Sequence, residues 1–206
     1  MGRSRGVVPN RPSDHILDFD LFVIGGGSAG VWCARIAAEH GKKVGVKEER
    51  FCGGICVNIG CIPKKFMVMA AGHGMTADDA SGLGWYLVKG EHKRPKLLAA
   101  THKEVDRLKS IYKRLLCHSG AETFETHARF IDQHTLDVGG QRISAARIAI
   151  ATGGHPMRLD IPGAEVGIVS DDAFYLAERP TRIAIIGNLC RCVGLRRICE
   201  LDWLKR

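Results

Sequence analysis

Asp20-Leu-Phe-Val-Ile-Gly-Gly-Gly-Ser-Ala-Gly30 decides the fold. Asp20–Ile24 is an apolar run of strand length that enters a glycine turn directly, and the apolar spacing beyond it predicts a helix from Val31 to His40. Gly25, Gly27 and Gly30 form the pattern G-x-G-x-x-G. In that pattern the first glycine makes the tight turn, the second lets a pyrophosphate approach the backbone, and the third packs helix on strand. The helix N-terminus then offers unpaired amides and a positive dipole end to phosphate. Lys43-Val-Gly-Val-Lys47 reads as a second strand ending at Glu48, eighteen residues past Gly30, where a carboxylate can bind ribose hydroxyls. Glu49 is the competing acid.

Next comes Phe51-Cys-Gly-Gly-Ile-Cys-Val-Asn-Ile-Gly-Cys-Ile-Pro-Lys-Lys65. Cys56 and Cys61, spaced C-x4-C at the start of a helix, can close a small strained loop, and a disulfide of that kind is labile and catalytic rather than structural. The helix N-terminus and nearby Lys64 are expected to lower a thiol pKa. Gly60 and Pro63 fix the turn.

These residues resemble the flavin-dependent pyridine nucleotide–disulfide oxidoreductases, whose redox signature is matched by Gly53-Gly54-x-Cys56-Val-Asn-x-Gly60-Cys61-x-Pro63. Pro63-Lys64-Lys65 resembles the glutathione reductase branch of that family. The similarity runs from about Asp18 to Gly187 and includes Gly82-x-Gly-Trp85, Arg107-Leu-x-x-Ile-Tyr112 and Ile150-Ala-Thr-Gly-Gly154. By the resemblance, Ser28, Ala29, Glu48, Cys56, Lys64 and Ala128 match flavin-contacting sites, and Thr152-Gly153 matches the stretch that closes over the dinucleotide. Ile55 stands where the family usually has threonine, a loss of one hydrogen bond worth about 1 kcal/mol. Ser28, Arg35 and Tyr112 match glutathione-contacting sites. Cys56 is implied to attack glutathione disulfide, Cys61 to face the flavin, and Lys64 to favour its reduced anion. FAD, NADPH, glutathione disulfide and a homodimeric partner are the ligands and partner so implied.

The fold class expected is α/β, a Rossmann-like domain with a parallel sheet, helices and a small β-meander. A helix is expected between Pro95 and His118, carrying Tyr112. Short strands are expected around Ala121–Phe124, Ala128–Ile131, Thr135–Val138 and Arg142–Ile143, with Gly139-Gly140 as a turn and Arg147–Ala151 as a further buried strand. Thr181–Gly187 reads as the first strand of a second dinucleotide domain. The expected organisation is thus a leader over 1–18, a flavin domain with the redox pair over 19–160, a connection over 161–180, and a truncated, degenerate NADPH-domain start over 181–206.

After Gly187 the family pattern breaks. Arg197-Ile-Cys-Glu200 can be encoded so that a one-base shift gives Glu-Phe-Ala-Ser, close to the family's helix, and the tail reads as out of frame. Cys190, Cys192 and Cys199 lack a standard zinc spacing. The histidines show no ligand spacing either, so no metal is expected.

Composition fits a globular protein: 45% of the 206 residues are hydrophobic and 25% charged. The net charge of +8 permits an anionic partner, but the basic residues are scattered and aromatics are only 6%, so nucleic acid ranks low. The longest apolar runs look strand-sized, so no membrane span is expected. Eight cysteines without a secretory signal point to a reducing, cytoplasmic setting, with an organelle as the alternative because Met1–Arg11 carries Arg3, Arg5 and Arg11 and no acid. Three function classes stand: a disulfide oxidoreductase, an inactive FAD-binding fragment, and a basic interaction module.

Overall fold

The computed structural model describes residues 17–86, 90–178, 180 and 182–186. The leader as far as Ile16, and the tail from Gly187 with its three cysteines, lie outside the described residues. The chain divides into two compact units, Met1–Arg50 with Leu115–Thr152 and Phe51–Arg114 with Gly153–Arg206.

The first unit begins with β1 (Phe19–Ile24), α1 (Ser28–Glu39) and β2 (Val44–Lys47). It resumes with β3 (Glu122–Phe124), β4 (Ala128–Phe130), β5 (Thr135–Val138) and β6 (Gln141–Ile150). The sheet order is β3-β2-β1-β6-β5-β4. The first four strands run parallel, with Leu21 opposite Val44 and Arg147, and β6-β5-β4 form an antiparallel meander. This is the Rossmann-like α/β architecture that the glycine turn implied. β1 is apolar because Phe22, Val23 and Ile24 are all buried, as a central parallel strand covered on both faces requires. Phe19, Phe22, Leu136, Val138, Ile143 and Ala145 form its core, and Phe19 meets Phe22 edge-on at 5.6 Å between ring centroids.

α1 buries the small face Gly30, Val31 and Ala34. It ends in a Schellman motif: Gly41, at φ +74°, donates to the Ala38 carbonyl, and Lys42 donates to Ala37. The same motif ends α4 (Arg94–His118), where Gly120 donates to Cys117 and Ala121 to Leu116 before β3 begins. Asp18, assigned to the leader from sequence, is already anchored: its carboxylate accepts from the Ser144 amide at 2.8 Å and hydroxyl at 2.7 Å.

Two strand expectations need correction. Arg142–Ile143 and all of Arg147–Ala151 except its last residue belong to one ten-residue strand, β6, because nothing turn-forming separates them; its first half pairs antiparallel with β5 and its second half parallel with β1. Ala121–Phe124 is not in the meander but pairs parallel with β2, since the chain leaves α4 beside that edge.

The second unit contains α2 (Gly54–Asn58), α3 (Cys61–Gly82) and α4 as far as Arg114. Ile59, Met67 and Phe174 form its core, with Phe51, Ile55, Val68, Leu97 and Leu98 packed against them. On α4, buried Thr101 and Val105 continue the stripe begun by Leu97. The expected strand over Thr181–Gly187 is not present at 182–186. A strand needs a ladder partner, and none pairs there among the described residues. The expectation that no apolar stretch reaches spanning length is also corrected. Gly54–His73, 20 residues of mean hydropathy 1.3, is long and apolar enough by length and composition. Lys64 and Lys65 split it in sequence, the α2–α3 joint splits it in space, and Val57, Ile59, Met67 and Ala71 are buried in packing.

Candidate active site

In the first unit the glycine turn is held where backbone leaves no room for side chains. Gly25 has φ +116°, and a Cβ there would lie 2.3 Å from the Ala151 carbonyl oxygen. A Cβ on Gly30 would lie 1.8 Å from the Gly25 oxygen. The turn is tied to the carboxyl ends of its neighbours, with Gly25 donating to the Lys47 carbonyl and Ala151 donating to Ile24, both at 2.8 Å. Ligands of open parallel sheets bind at such strand ends.

Gly27 caps α1 in an extended conformation with no side-chain cap, and the first turn holds no acid. Val31 makes the first intrahelical bond, to Gly27 at 2.9 Å, so the amides of Ser28, Ala29 and Gly30 have no intrahelical acceptor. Ser28 and Ala29 are exposed. The turn therefore fits the pyrophosphate of a dinucleotide: it has free amides, a positive dipole end and no competing carboxylate in the first turn.

The structure separates the two candidate acids. Glu48 Oε2 accepts the Gly26 amide at 2.8 Å and Oε1 accepts the Arg50 amide at 2.8 Å, so its carboxylate lies at the glycine turn. Glu49 is held elsewhere, accepting from buried Lys47 Nζ at 3.1 Å and pairing with His127 Nδ1. Those partners, His127 first, hold the Glu49 carboxyl below its ordinary range. The sequence pattern overlooked Gly26, where a Cβ would meet the Glu48 Cβ at 2.9 Å.

Thr152 adjoins Gly25, its amide nitrogen 3.2 Å from a Cβ built there. Ala128 sits on β4 opposite Val138 and packs against the sheet core. Arg35 pairs with Glu39 at 3.3 Å one turn along α1, and its guanidinium lies 5.8 Å from the centroid of exposed Trp32.

In the second unit, Cys56 lies within α2 and Cys61 opens α3; both are free thiols, and Cys61 is near enough to act on the Cys56 thiol. The short joint demands glycine: Gly53 has φ +92°, and a Cβ on Gly60 would lie 2.8 Å from the Ile55 carbonyl oxygen. Lys64 donates its amide to Gly60 at 3.1 Å, and Pro63 is buried in the first turn of α3, where its missing N–H costs little. The expected lowering of the thiol pKa does not hold at Cys56. Burial pushes that thiol up, the Cys61 thiol adds to the rise, and the downward pull of Lys64 is weaker.

Ile55, in the family's threonine position, is half-buried in the Ile59–Met67–Phe174 core. Tyr112 is half-buried on α4, and exposed Gly153 has φ +70°. The glycine turn, Glu48, Arg35, Ala128 and Thr152 thus belong to the first unit, and Ile55, Cys56, Cys61, Lys64, Tyr112 and Gly153 to the second. Among the described residues no group of three or more His, Cys, Asp or Glu side chains is arranged to hold a metal.

A family model described as pyridine nucleotide-disulphide oxidoreductase matches residues 19–188. The chain is 45% identical over 181 residues to a glutathione reductase of Burkholderia cepacia, covering 86% of this chain and 40% of that protein. It is 40% identical over 171 residues to a glutathione reductase of Nostoc sp., covering 83% and 37%. It is also 40% identical over 186 residues to a thioredoxin reductase of Emiliania huxleyi, covering 82% and 37%. The chain spans about 40% of the length of the first of these relatives and less of the others. A glycine turn on the carboxyl ends of a parallel sheet, a pair of free cysteines at a helix joint in the second unit, and a family match over most of the sequence have one reading: the chain belongs to the pyridine nucleotide-disulphide oxidoreductase family.

Proposed function

We propose that this chain carries the flavin-binding and dithiol part of a glutathione reductase-type enzyme, with FAD as cofactor, NADPH as reductant and glutathione disulfide as substrate. The reading rests on one observation: Cys56 and Cys61 are free thiols on the two sides of a glycine-built helix joint, α2 to α3. Pro63-Lys64-Lys65 and the names of the first relatives favour glutathione over thioredoxin as the disulfide reduced.

The amides at the start of α1 would hold the FAD pyrophosphate and Glu48 the ribose hydroxyls, with Ala128, Thr152 and Gly153 as further contacts. When bound, the flavin supplies a two-electron relay between nicotinamide and the cysteine pair. The protein's own part is sulfur chemistry. The Cys56 sulfur attacks one sulfur of glutathione disulfide, forming a mixed disulfide and releasing one glutathione thiolate. Cys61 then attacks the Cys56 sulfur, closing the Cys56–Cys61 disulfide and releasing the second glutathione. The two thiol protons pass to the two leaving thiolates, so the dithiol loses two electrons and the substrate gains two.

The raised pKa of Cys56 means that this attack needs a base, and the resemblance to the family implies a histidine of its interface domain in that role. Arg35 would pair with a glutathione carboxylate, exchanging its Glu39 partner, and Ser28 and Tyr112 would complete the contact. The homodimer and the domain boundaries at 160 and 180 belong to the same proposal.

The test is direct. Purified chain is mixed with FAD, its visible spectrum recorded, and NADPH-dependent loss of glutathione disulfide and of oxidised thioredoxin followed in parallel. Bound flavin with glutathione turnover is expected of the intact active form. Bound flavin without turnover of either disulfide makes the chain a FAD-binding fragment, and no bound flavin sinks the cofactor assignment.

A further inference from the structure

Asn58 lies between the two cysteines in sequence and closes α2, and it is buried at 5% exposure. Its Nδ2 donates twice, to the Gly54 carbonyl at 2.8 Å and to the Cys52 carbonyl at 3.2 Å. Both acceptors precede Cys56, so one carboxamide ties the entry of the redox loop to its middle. Its Oδ1 is the buried side-chain oxygen without a hydrogen-bond partner among the described residues.

A buried acceptor left unpaired is a cost that an apolar side chain of the same shape avoids. That cost is set against the two donated bonds, and what those bonds fix is the backbone that carries the cysteines. Closing a disulfide brings the sulfurs to bonding distance, which requires a fixed loop at Cys56.

Building on the proposed dithiol chemistry, we propose that Asn58 is a positioning residue for the Cys56–Cys61 couple: its two amide hydrogen bonds hold the loop in the ring-closing geometry and thereby favour the disulfide. The step it biases is balanced by a glutathione buffer. The dithiol plus glutathione disulfide gives the protein disulfide plus two glutathiones, with two electrons and two protons passing to glutathione.

The experiment equilibrates the full chain, without flavin or NADPH, across a series of glutathione redox buffers. Acid quenching, alkylation and mass spectrometry then report the Cys56–Cys61 disulfide fraction. Asn58→Leu and Asn58→Asp both remove the Nδ2 donors. Each is expected to lower the thiol–disulfide equilibrium constant about tenfold, which is ~30 mV for this two-electron couple.

Thr101→Val is the control for general loosening. Its buried hydroxyl donates to the Leu97 carbonyl at 2.8 Å within α4 of the same unit, and it makes no hydrogen bond to Cys52 or Gly54. An equal shift in Thr101→Val, or no shift in the Asn58 variants, overturns the role. Should both Asn58 variants fail to fold, NMR of the wild-type Asn58 side-chain amide decides. Its two proton shifts are expected to change between the reduced and oxidised protein, and unchanged shifts overturn the proposal. Absence of any Cys56–Cys61 disulfide in the wild type overturns the redox pair itself, and this role with it.

Discussion

The glycine turn of the first unit and the redox loop of the second solve opposite problems. The turn works by what it lacks, since Gly25, Gly26 and Gly30 each sit where a Cβ would strike backbone or the Glu48 side chain. The loop works by what it holds: two free thiols, a buried amide and a first-turn lysine. Space and free amides form an anion cradle that leaves no room for a Cβ at Gly25, Gly26 or Gly30. Side chains on a similar backbone framework can be exchanged with the fold intact and the chemistry gone.

The largest expected effect separates the two at once. On the proposed dithiol chemistry, Cys56→Ser should abolish oxidation of the pre-reduced chain by glutathione disulfide while changing unfolding free energy by no more than about 1 kcal/mol, because a half-buried thiol becomes a slightly smaller hydroxyl. Parallel rate assays and urea denaturation check it, and a large loss of stability would show that the loop is structural. Gly30→Ala should do the reverse. With a Cβ 1.8 Å from the Gly25 oxygen, α1 cannot enter the turn as it does, and a loss of about 3 kcal/mol or more is expected, together with loss of added flavin from the protein. An unchanged urea midpoint would break the comparison.

What could be read from sequence follows the same line. The strand, turn and helix over residues 19–39 are written in local periodicity and glycine spacing, and the structure has them at Phe19–Ile24 and Ser28–Glu39. Partner choice is not local. That β6 pairs parallel with β1 and antiparallel with β5, and that β3 joins β2 rather than the meander, depends on which edges lie free when the chain returns from α4. The direction of the Cys56 shift escaped for a like reason. Lys64 and the helix start are visible in sequence and pull the pKa down, whereas the burial that outweighs them arises from packing. Asn58 was visible only as one letter of a motif, and its function depends on two carbonyls that sequence does not place.

Glu48 stands between the two regions in kind, as a side chain that serves the turn. Glu48→Ala removes a charged acceptor from the Gly26 and Arg50 amides. Both amides can partly rehydrate, so about 1–2 kcal/mol is expected in urea denaturation, less than for Gly30→Ala. Glu48→Gln should restore part of it, because an amide oxygen still accepts. If the charge-neutral variant is as damaging as alanine, charge rather than hydrogen bonding sets the turn.

The smallest effect concerns the acid next door. Glu49 has its carboxyl held below the ordinary range, by His127 first and Lys47 second. A folded pKa below the unfolded one means that the native state binds fewer protons, so the contribution to stability is present above the unfolded value and is lost as pH falls through the folded value. His127→Ala removes the leading cause, so the Glu49 carboxyl should titrate closer to its ordinary value in a carbon-detected NMR titration. Because the Glu49 side chain is 44% exposed, solvent screens the pair, and the accompanying loss of stability near neutral pH should stay within about 0.5 kcal/mol. Lys47 explains why this weak pair still matters to the comparison. Its ammonium is buried, with Glu49 as an ion-pair partner, so His127 can be lost cheaply while Glu49 cannot. Glu49→Gln should therefore cost more than His127→Ala, and equal costs would show that the Lys47 ammonium does not depend on Glu49.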